Sequence, residues 1–154
     1  MKIRIKRLIN SAVIPHRAHT TDAGMDLVAT SKSVDEEGNI VYGTGLAVEI
    51  PKGYVGLLFP RSSNARKTLL LSNSVGVIDS GYRGEVTMKF KPSDKFLNYD
   101  GVAFKMKGAL TSSYDVGDRV GQMIVIPYPE IEFEEADELS DSERGEGGYG
   151  SSGK

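Results

Sequence analysis

The 154-residue chain contains no cysteine and no tryptophan. The missing thiols exclude a disulfide scaffold, thiol catalysis and any cysteine-ligated zinc centre. No apolar run approaches the roughly 18 residues of a membrane span. The opening stretch MKIRIKRLIN alternates charged and apolar residues, which is the pattern of a strand and not of a signal peptide. With neither an export signal nor cysteine, the expected address is the cytoplasm. Aromatics are scarce, at five Phe and seven Tyr, so a core built from aliphatic side chains is expected. The two histidines, His16 and His19, lie near Asp22. They find no third neutral ligand at zinc spacing, and the stretch reads as an exposed loop.

Glycine is abundant, at 18 residues against a usual share of about 7%. The length suits one domain that buries roughly 70% of its unfolded surface. The 19 basic and 21 acidic residues are unevenly placed, because nine of the acids and only two of the bases fall in residues 130–154. A mildly basic body with an acidic tail suits a small anionic ligand. It does not suit duplex DNA, which calls for a concentrated basic face.

Strand signals dominate the chain. Lys2 to Leu8 alternates, with Ile3 and Ile5 inward and Leu8 as a third inward candidate. Further strands are expected at Asp26 to Ala29, Ile40 to Tyr42, Gly45 to Ile50, Tyr54 to Phe59, Gly76 to Ile78, Glu85 to Phe90 and Val120 to Ile126. Pro51-Lys52-Gly53 reads as a turn, and Asp79 to Gly84 as a hairpin connection. Ser62 to Leu71 is the best helix candidate, capped by Ser62 or Ser63, although its end, TLLLSN, suits a strand equally well. Short strands with glycine-rich turns indicate a sandwich or barrel. Residues 92–116 are polar and turn-rich, and form either a long hairpin or an excursion from the sheet. Residues 134–154 have little to bury and are expected to be mobile without a ligand.

Five constellations could carry chemistry. Pro60-Arg61-Ser62-Ser63 places a guanidinium and two hydroxyls just after an apolar strand, a set suited to an oxyanion. In Gly76 to Glu85, Asp79 ends a strand where a carboxylate can be held at a fixed angle as a base on water, and Tyr82 offers a flat face for a base or sugar. In Asp115 to Gln122, a turn delivers Arg119 and a polar Gln122 into the last apolar strand, where Gln122 needs a partner. Asp26, in Ala23 to Leu27, could serve a metal-bound water or pair with an arginine. The tail from Gly148 to Lys154 matches the spacing G-x-x-x-x-G-K, but no strand precedes it and no helix follows. It is better read as an arm able to close over a nucleotide. The bland alternatives are a surface arginine beside a helix cap, an Asx-turn at Asp79, an ordinary hairpin at 115–122 and a low-complexity terminus.

Taken in order, AGMDL at 23–27, PRSS at 60–63, GVIDSGYRGE at 76–85, GDRVGQ at 117–122 and RGEGGYGSSG at 144–153 resemble the five motifs of the trimeric deoxyuridine triphosphatase (dUTPase) family. GVIDSGYRGE is the most specific of them. PHRAHTTDAGMDL is similar to a segment of bacterial and phage members. The resemblance implies an all-β, distorted jelly-roll protomer of β-clip type. Residues 1–133 would form one β-rich catalytic domain with an inserted hairpin or loop at 92–116, and residues 134–154 a mobile C-terminal arm. It implies a homotrimer whose sites lie between subunits, each arm reaching over a neighbour's site. It also implies Mg²⁺-assisted hydrolysis of dUTP to dUMP and pyrophosphate, with neither nucleic acid nor membrane as a partner.

Carried over by position, the resemblance makes Asp79 the base that activates water. Tyr82 lies under the deoxyribose and excludes a 2′-hydroxyl. Asn73 faces uracil, and backbone groups around Val77, Ile78 and Thr87 read its edge. Arg61, Ser62, Ser63 and Gln122 hold phosphates. Asp26 touches a metal-bound water and pairs with Arg119. On the arm, Arg144, Gly150, Ser151 and Ser152 engage the phosphates and Tyr149 stacks on the base. The chain departs from the family's usual residues with Tyr149 for Phe, Ser152 for Thr, Gly121 for Ala and Gly81 for Asp. It is also roughly a dozen residues longer than compact members between Tyr82 and Gly117. In some phage relatives an added segment there serves protein partners, so residues 92–116 are a candidate partner surface. A deoxycytidine triphosphate deaminase of the same fold is the alternative enzyme, and Glu85 is the only nearby carboxylate it could use.

Overall fold

The computed structural model describes residues 1–93, 96–99, 102–105 and 112–151. Among them the strands are β1 (Arg4–Arg7), β2 (Met25–Val28), β3 (Ser31–Val34), β4 (Ile40–Gly43), β5 (Leu46–Glu49), β6 (Tyr54–Phe59), β7 (Leu69–Leu71), β8 (Gly76–Ile78), β9 (Thr87–Pro92), β10 (Phe96–Tyr99), β11 (Val102–Lys105) and β12 (Arg119–Pro127). A short 3-10 turn, Ser62–Arg66, separates β6 from β7. Two four-stranded antiparallel sheets run β2-β12-β6-β8 and β3-β4-β9-β7, while β1 pairs with β5 and β10 with β11.

Alternation decides which faces turn inward. In β9, Met88 and Phe90 are buried while Lys89 and Lys91 stay exposed, so one face of the strand meets the core and the other meets water. The core combines Leu27, Ile50, Leu58, Val86, Met88 and Val120 with three aromatic rings. Tyr42, Phe90 and Tyr114 pack with centroids 5.8 to 5.9 Å apart. The expectation of an aliphatic core is therefore incomplete, because few aromatics do not prevent three of them from meeting. The buried Tyr42 hydroxyl is satisfied by the Tyr114 backbone, donating to its carbonyl and accepting its N–H, both at 3.0 Å.

Most expected strands are present within a residue or two. Three expectations need correction, and one strand goes unannounced. Ser62 to Leu71 is not a helix: only the 3-10 turn forms, no side chain caps it, and β7 follows, pairing Leu69 with Pro92 and Leu71 with Phe90. Burying Leu69 against the core and completing a sheet edge outweigh the local helix preference. Asp79 to Gly84 is not a hairpin connection. β8 pairs with β6 and β9 pairs with β4 and β7, so this turn carries the chain from one sheet to the other. β3, with its exposed sequence SKSV, has no apolar alternation to reveal it and is held by its ladder to β4. Leu8 is 44% exposed, whereas Ile3 and Ile5 pack on the core.

Within the 92–116 excursion, β10 and β11 form an antiparallel ladder from Phe96↔Lys105 to Tyr99↔Val102. Residues after β12 are exposed through Ser151, apart from partial cover at Gly147 and Gly148.

Candidate active site

Three strands bring one group of candidates together. In the register of β2, β12 and β6, Gln122 lies opposite both Asp26 and Phe59. β6 then ends at Pro60, which directs Arg61 back across the same row. Asp26 Oδ1 accepts the Arg61 Nε–H at 2.8 Å, and Asp26 Oδ2 accepts an Arg119 Nη1–H at 2.9 Å. The Asp26 side chain is only 12% exposed, so each guanidinium is held by a charge-assisted bond partly shielded from water. Gln122 Nε2 donates to the Pro60 carbonyl at 3.1 Å, which is the partner that its position in an apolar strand demands. Arg61 Nη1 donates to Ser63 Oγ at 3.4 Å.

Of these, Asp26, Arg61 and Gln122 line a groove of about 370 Å³ together with Ala18, Asp22, Gly24 and Ser62. A side chain at Gly24 would collide with Gln122, so the glycine keeps the groove open. The expected pairing of Asp26 with Arg119 is present, and Arg61 joins it. The loop before the groove uses Asp22 as a turn residue, its carboxylate accepting the His19 backbone N–H at 2.9 Å.

A second group lies where the two sheets approach each other. Leu58, Leu71, Asn73, Gly76, Thr87, Met88 and Lys89 enclose a cavity of about 220 Å³. Asn73 is placed there by a tight turn in which Ser74 N–H donates to the Leu71 carbonyl at 3.0 Å. Ser74 adopts φ 62°, a left-handed conformation costly for a residue with a Cβ. Ile78 is buried and Val77 is exposed, as strand alternation requires. Beyond β8, Tyr82 N–H donates to the Asp79 carbonyl at 3.1 Å, and the Tyr82 hydroxyl donates to the Glu85 carbonyl at 2.9 Å. The Asp79 side chain is exposed at the head of this turn. Arg83 Nη1 donates to the Ser80 and Tyr82 carbonyls at 2.7 and 2.8 Å, holding the loop in shape. Glu85 Oε1 accepts the Gly45 N–H at 2.7 Å.

The third group is the arm. Arg144 Nε donates to the Gly147 carbonyl at 2.8 Å and Ser151 N–H to the Gly148 carbonyl at 3.0 Å. Tyr149 is fully exposed at φ 50°, and Gly150 follows at φ 88°. Ser152 lies outside the described residues. One chain therefore gathers Asp26, Arg61, Ser62 and Gln122 in one groove and Asn73 and Thr87 in another cavity. The two linings share no residue, and the arm's Tyr149 packs on neither.

Asn64, Thr68 and Tyr114 were not foreseen. Asn64 Nδ2 donates to the Leu69 carbonyl at 2.9 Å, closing the 3-10 turn, and Asn64 Oδ1 accepts the Tyr114 hydroxyl at 3.2 Å. Burial pushes the Tyr114 phenol pKa up, against the influence of nearby Ser63 and Arg61, so it stays a donor. Nothing in the spacing of these residues announces the contact, which spans 50 positions.

The dUTPase family model matches residues 10–153. A deoxyuridine 5'-triphosphate nucleotidohydrolase of Rhodococcus erythropolis is 40% identical over 155 residues, covering 99% of this chain and 87% of the relative. A mutant dUTPase of Staphylococcus bacteriophage 80alpha, solved with dUpNHpp, superposes with a TM-score of 0.78 at 32% identity over 99% of each chain. A mutant dUTPase from phage phi11 of S. aureus, whose structure reveals the coordination of a structural Mg(II) ion, matches with a TM-score of 0.69 at 27% identity, covering 90% of this chain and 99% of that one. All of the motifs from AGMDL to RGEGGYGSSG fall inside the matched region, and the chain belongs to the dUTPase family. Its paired antiparallel sheets are the jelly roll that the motifs imply.

Proposed function

We propose that the protein hydrolyses dUTP to dUMP and pyrophosphate in sites shared between the subunits of a homotrimer. The observation that carries this reading is the convergence of Asp26, Arg61 and Gln122, from three separate motifs, on one polar groove. The inter-sheet turn with Asp79 and the arm with Tyr149 do not line that groove, as expected where neighbouring subunits complete each site. Ile131, Phe133 and Leu139 also stand exposed on the segment leading to the arm, which favours their burial against another subunit.

In this reading Arg61, Ser62, Ser63 and Gln122 hold the triphosphate. Asp79 accepts a proton from a water as its oxygen attacks the α-phosphorus, and the bond from that phosphorus to the bridging oxygen breaks to release pyrophosphate. Asn73, with backbone at Val77, Ile78 and Thr87, reads the uracil edge. Tyr82 lies under the sugar. Residues 134–154 form the arm, in which Arg144, Gly150, Ser151 and Ser152 engage phosphates and Tyr149 stacks on the base. Closure of the arm excludes water and strengthens each polar contact.

Mg²⁺ fits this donor set through water. Among the described residues no three metal-ligating side chains cluster, and both Asp26 oxygens already accept guanidinium N–H groups. Asp26 has lone pairs left for a metal-bound water, and Mg²⁺ commonly keeps its waters and takes phosphate oxygens. When bound, the ion neutralises charge on the triphosphate and on the departing pyrophosphate. No described helix is long and apolar enough to cross a membrane, and a cytoplasmic address is part of the same reading.

The deaminase alternative is less well supported, because the family model and the relatives matched are those of dUTPases. The β10–β11 ladder pairs with neither core sheet, which favours residues 92–116 as a separate surface for a protein partner. Replacing only the stretch between Ser93 and Ser112 by a short linker, with Tyr114 kept, should abolish partner capture and spare hydrolysis.

The deciding experiment is pyrophosphate release from dUTP, dTTP, dCTP and UTP, with and without Mg²⁺. Release from dUTP alone, stimulated by Mg²⁺, is expected. A folded protein releasing pyrophosphate from none of them overturns the reading, and ammonia release from dCTP replaces it with the deaminase.

A further inference from the structure

Both ends of the 92–116 excursion are tied to one residue. The Thr68 carbonyl accepts the Ser93 N–H at 2.8 Å, and the Thr68 hydroxyl accepts the Ser112 N–H at 3.0 Å. Thr68 sits between the 3-10 turn and β7, two residues beyond the end of the turn that carries Ser62 and Ser63. The returning chain then adds more ties to the same segment. Lys67 Nζ donates to the Ser113 carbonyl at 2.8 Å and lies 4.8 Å from the Tyr114 ring centroid. The Tyr114 hydroxyl donates to Asn64, which itself closes the turn through Leu69.

The ring and the hydroxyl of Tyr114 have separable tasks. The ring is buried with Tyr42 and Phe90 and belongs to the core. The hydroxyl leaves that cluster and reaches the side chain of Asn64, directly after Ser63. A buried ring is a rigid base, so its hydroxyl fixes the turn relative to the sheets. The Arg61 side chain is hydrogen-bonded to Asp26 of β2 at the other end of the turn.

We propose that Tyr114, through Asn64, and Thr68 are positioning residues that hold the Arg61–Ser63 turn in the geometry that binds the triphosphate. The inference rests on the reading above in which Arg61, Ser62 and Ser63 hold the phosphates. It makes the chain returning at 112–114 a structural support of the phosphate site, whatever the excursion itself binds.

Tyr114→Phe keeps the ring and deletes only the donor. The expected result is a KM for dUTP raised about 3- to 10-fold with kcat within about twofold, the loss of a binding contact shared by ground and transition states. Affinity for the non-hydrolysable analogue dUpNHpp falls by the same factor. Asn64→Ala does likewise, and the double variant is no worse than the poorer single one, as coupled partners require. Thr68→Val raises KM in the same direction, and Thr68→Ser, which keeps the hydroxyl, restores it. A Tyr114→Phe protein with lowered thermal stability but unchanged KM and dUpNHpp affinity overturns the proposal and leaves Tyr114 a core residue. Arg61→Ala separates the two claims. If it raises KM and Tyr114→Phe does not, only the positioning role falls. If neither changes KM, the phosphate reading falls and the positioning role with it.

Discussion

Asp26 and Arg61 lie 35 positions apart and meet through a 2.8 Å hydrogen bond, with Arg119 bonded to the opposite carboxylate oxygen at 2.9 Å. One carboxylate thus holds two guanidiniums, and its charge offsets their mutual repulsion.

Asp26→Asn should therefore damage both stability and binding. The variant leaves two cations close together with their shared anion gone. A loss of about 1–3 kcal/mol is expected, mostly from the less exposed Arg61 pair. The KM for dUTP should rise about tenfold or more. Denaturant unfolding and steady-state kinetics on the same preparation check both.

Asp79→Asn should separate chemistry from folding. The side chain is exposed at a turn, so its replacement should leave the thermal midpoint unchanged. As the proposed base it should account for about 10²–10⁴ in kcat. Full kcat in a folded Asp79→Asn protein would remove it from that role.

Subunit sharing predicts complementation. Asp79→Asn chains and chains truncated before Arg144 are each expected to be inactive. Co-refolded, they should form mixed trimers in which some sites draw an intact Asp79 and an intact arm from different chains. Recovery of a fraction of wild-type activity is the expected reading in a pyrophosphate assay. No recovery in trimers shown to be mixed would place both elements of a site on one chain.

Gly121→Ala should reach the base cavity indirectly. A Cβ at Gly121 would collide with the Met88 thioether, and Met88 lines the cavity with Asn73 and Thr87. An alanine there therefore requires the Met88 side chain to move. A cost of about 1–3 kcal/mol is expected, with a several-fold rise in KM as Met88 is pushed toward the cavity. Met88→Ala in the same chain should recover part of the KM, measurable in a double-mutant cycle.

Acid stability should depend on Asp35. Burial opposes its ionisation, but Lys89 and the backbone and side chain of Asn39 outweigh that and lower its pKa to about 2. Lys89 Nζ lies 3.0 Å from the carboxylate, and the Asn39 N–H 2.8 Å. The folded pKa is below the ordinary value of 3.8, so the charged form stabilises the fold above that pH. This stabilisation is lost as pH falls from about 4 towards 2. Asp35→Asn should lower stability near neutrality and flatten its pH dependence across that window, as seen in melts at stepped pH.

Much of the architecture was legible in local pattern. Tyr54 to Phe59 and Gly76 to Ile78 form strands with the expected bounds, because apolar runs closed by Pro and Gly punctuation signal strands directly. The motif residues Asp26, Arg61 and Gln122 could be named in advance because their order along the chain is distinctive. What local pattern left open or missed shares one cause. Leu69 to Leu71, which suited helix and strand equally, and Ser31 to Val34, which carried no signal, are strands because of what they pair with, and pairing partners do not appear in a local window. The same holds for the turn after Ile78, whose flanking strands join different sheets.

The amino-acid sequence by itself determined the class of fold, the family, the positions of the motifs and the absence of thiol chemistry. These depend on residue type, order and short-range periodicity. Tertiary structure alone decided that Asp26 holds Arg61 together with Arg119, and that Met88 fills the space beside Gly121. It also decided that Thr68 meets Ser93 and Ser112 and that Tyr114 reaches Asn64. Each of these is a contact between residues tens of positions apart, set by strand register and by the packing of two sheets. Register and packing are properties of the assembled core, where the lowest free energy is found by all the strands together.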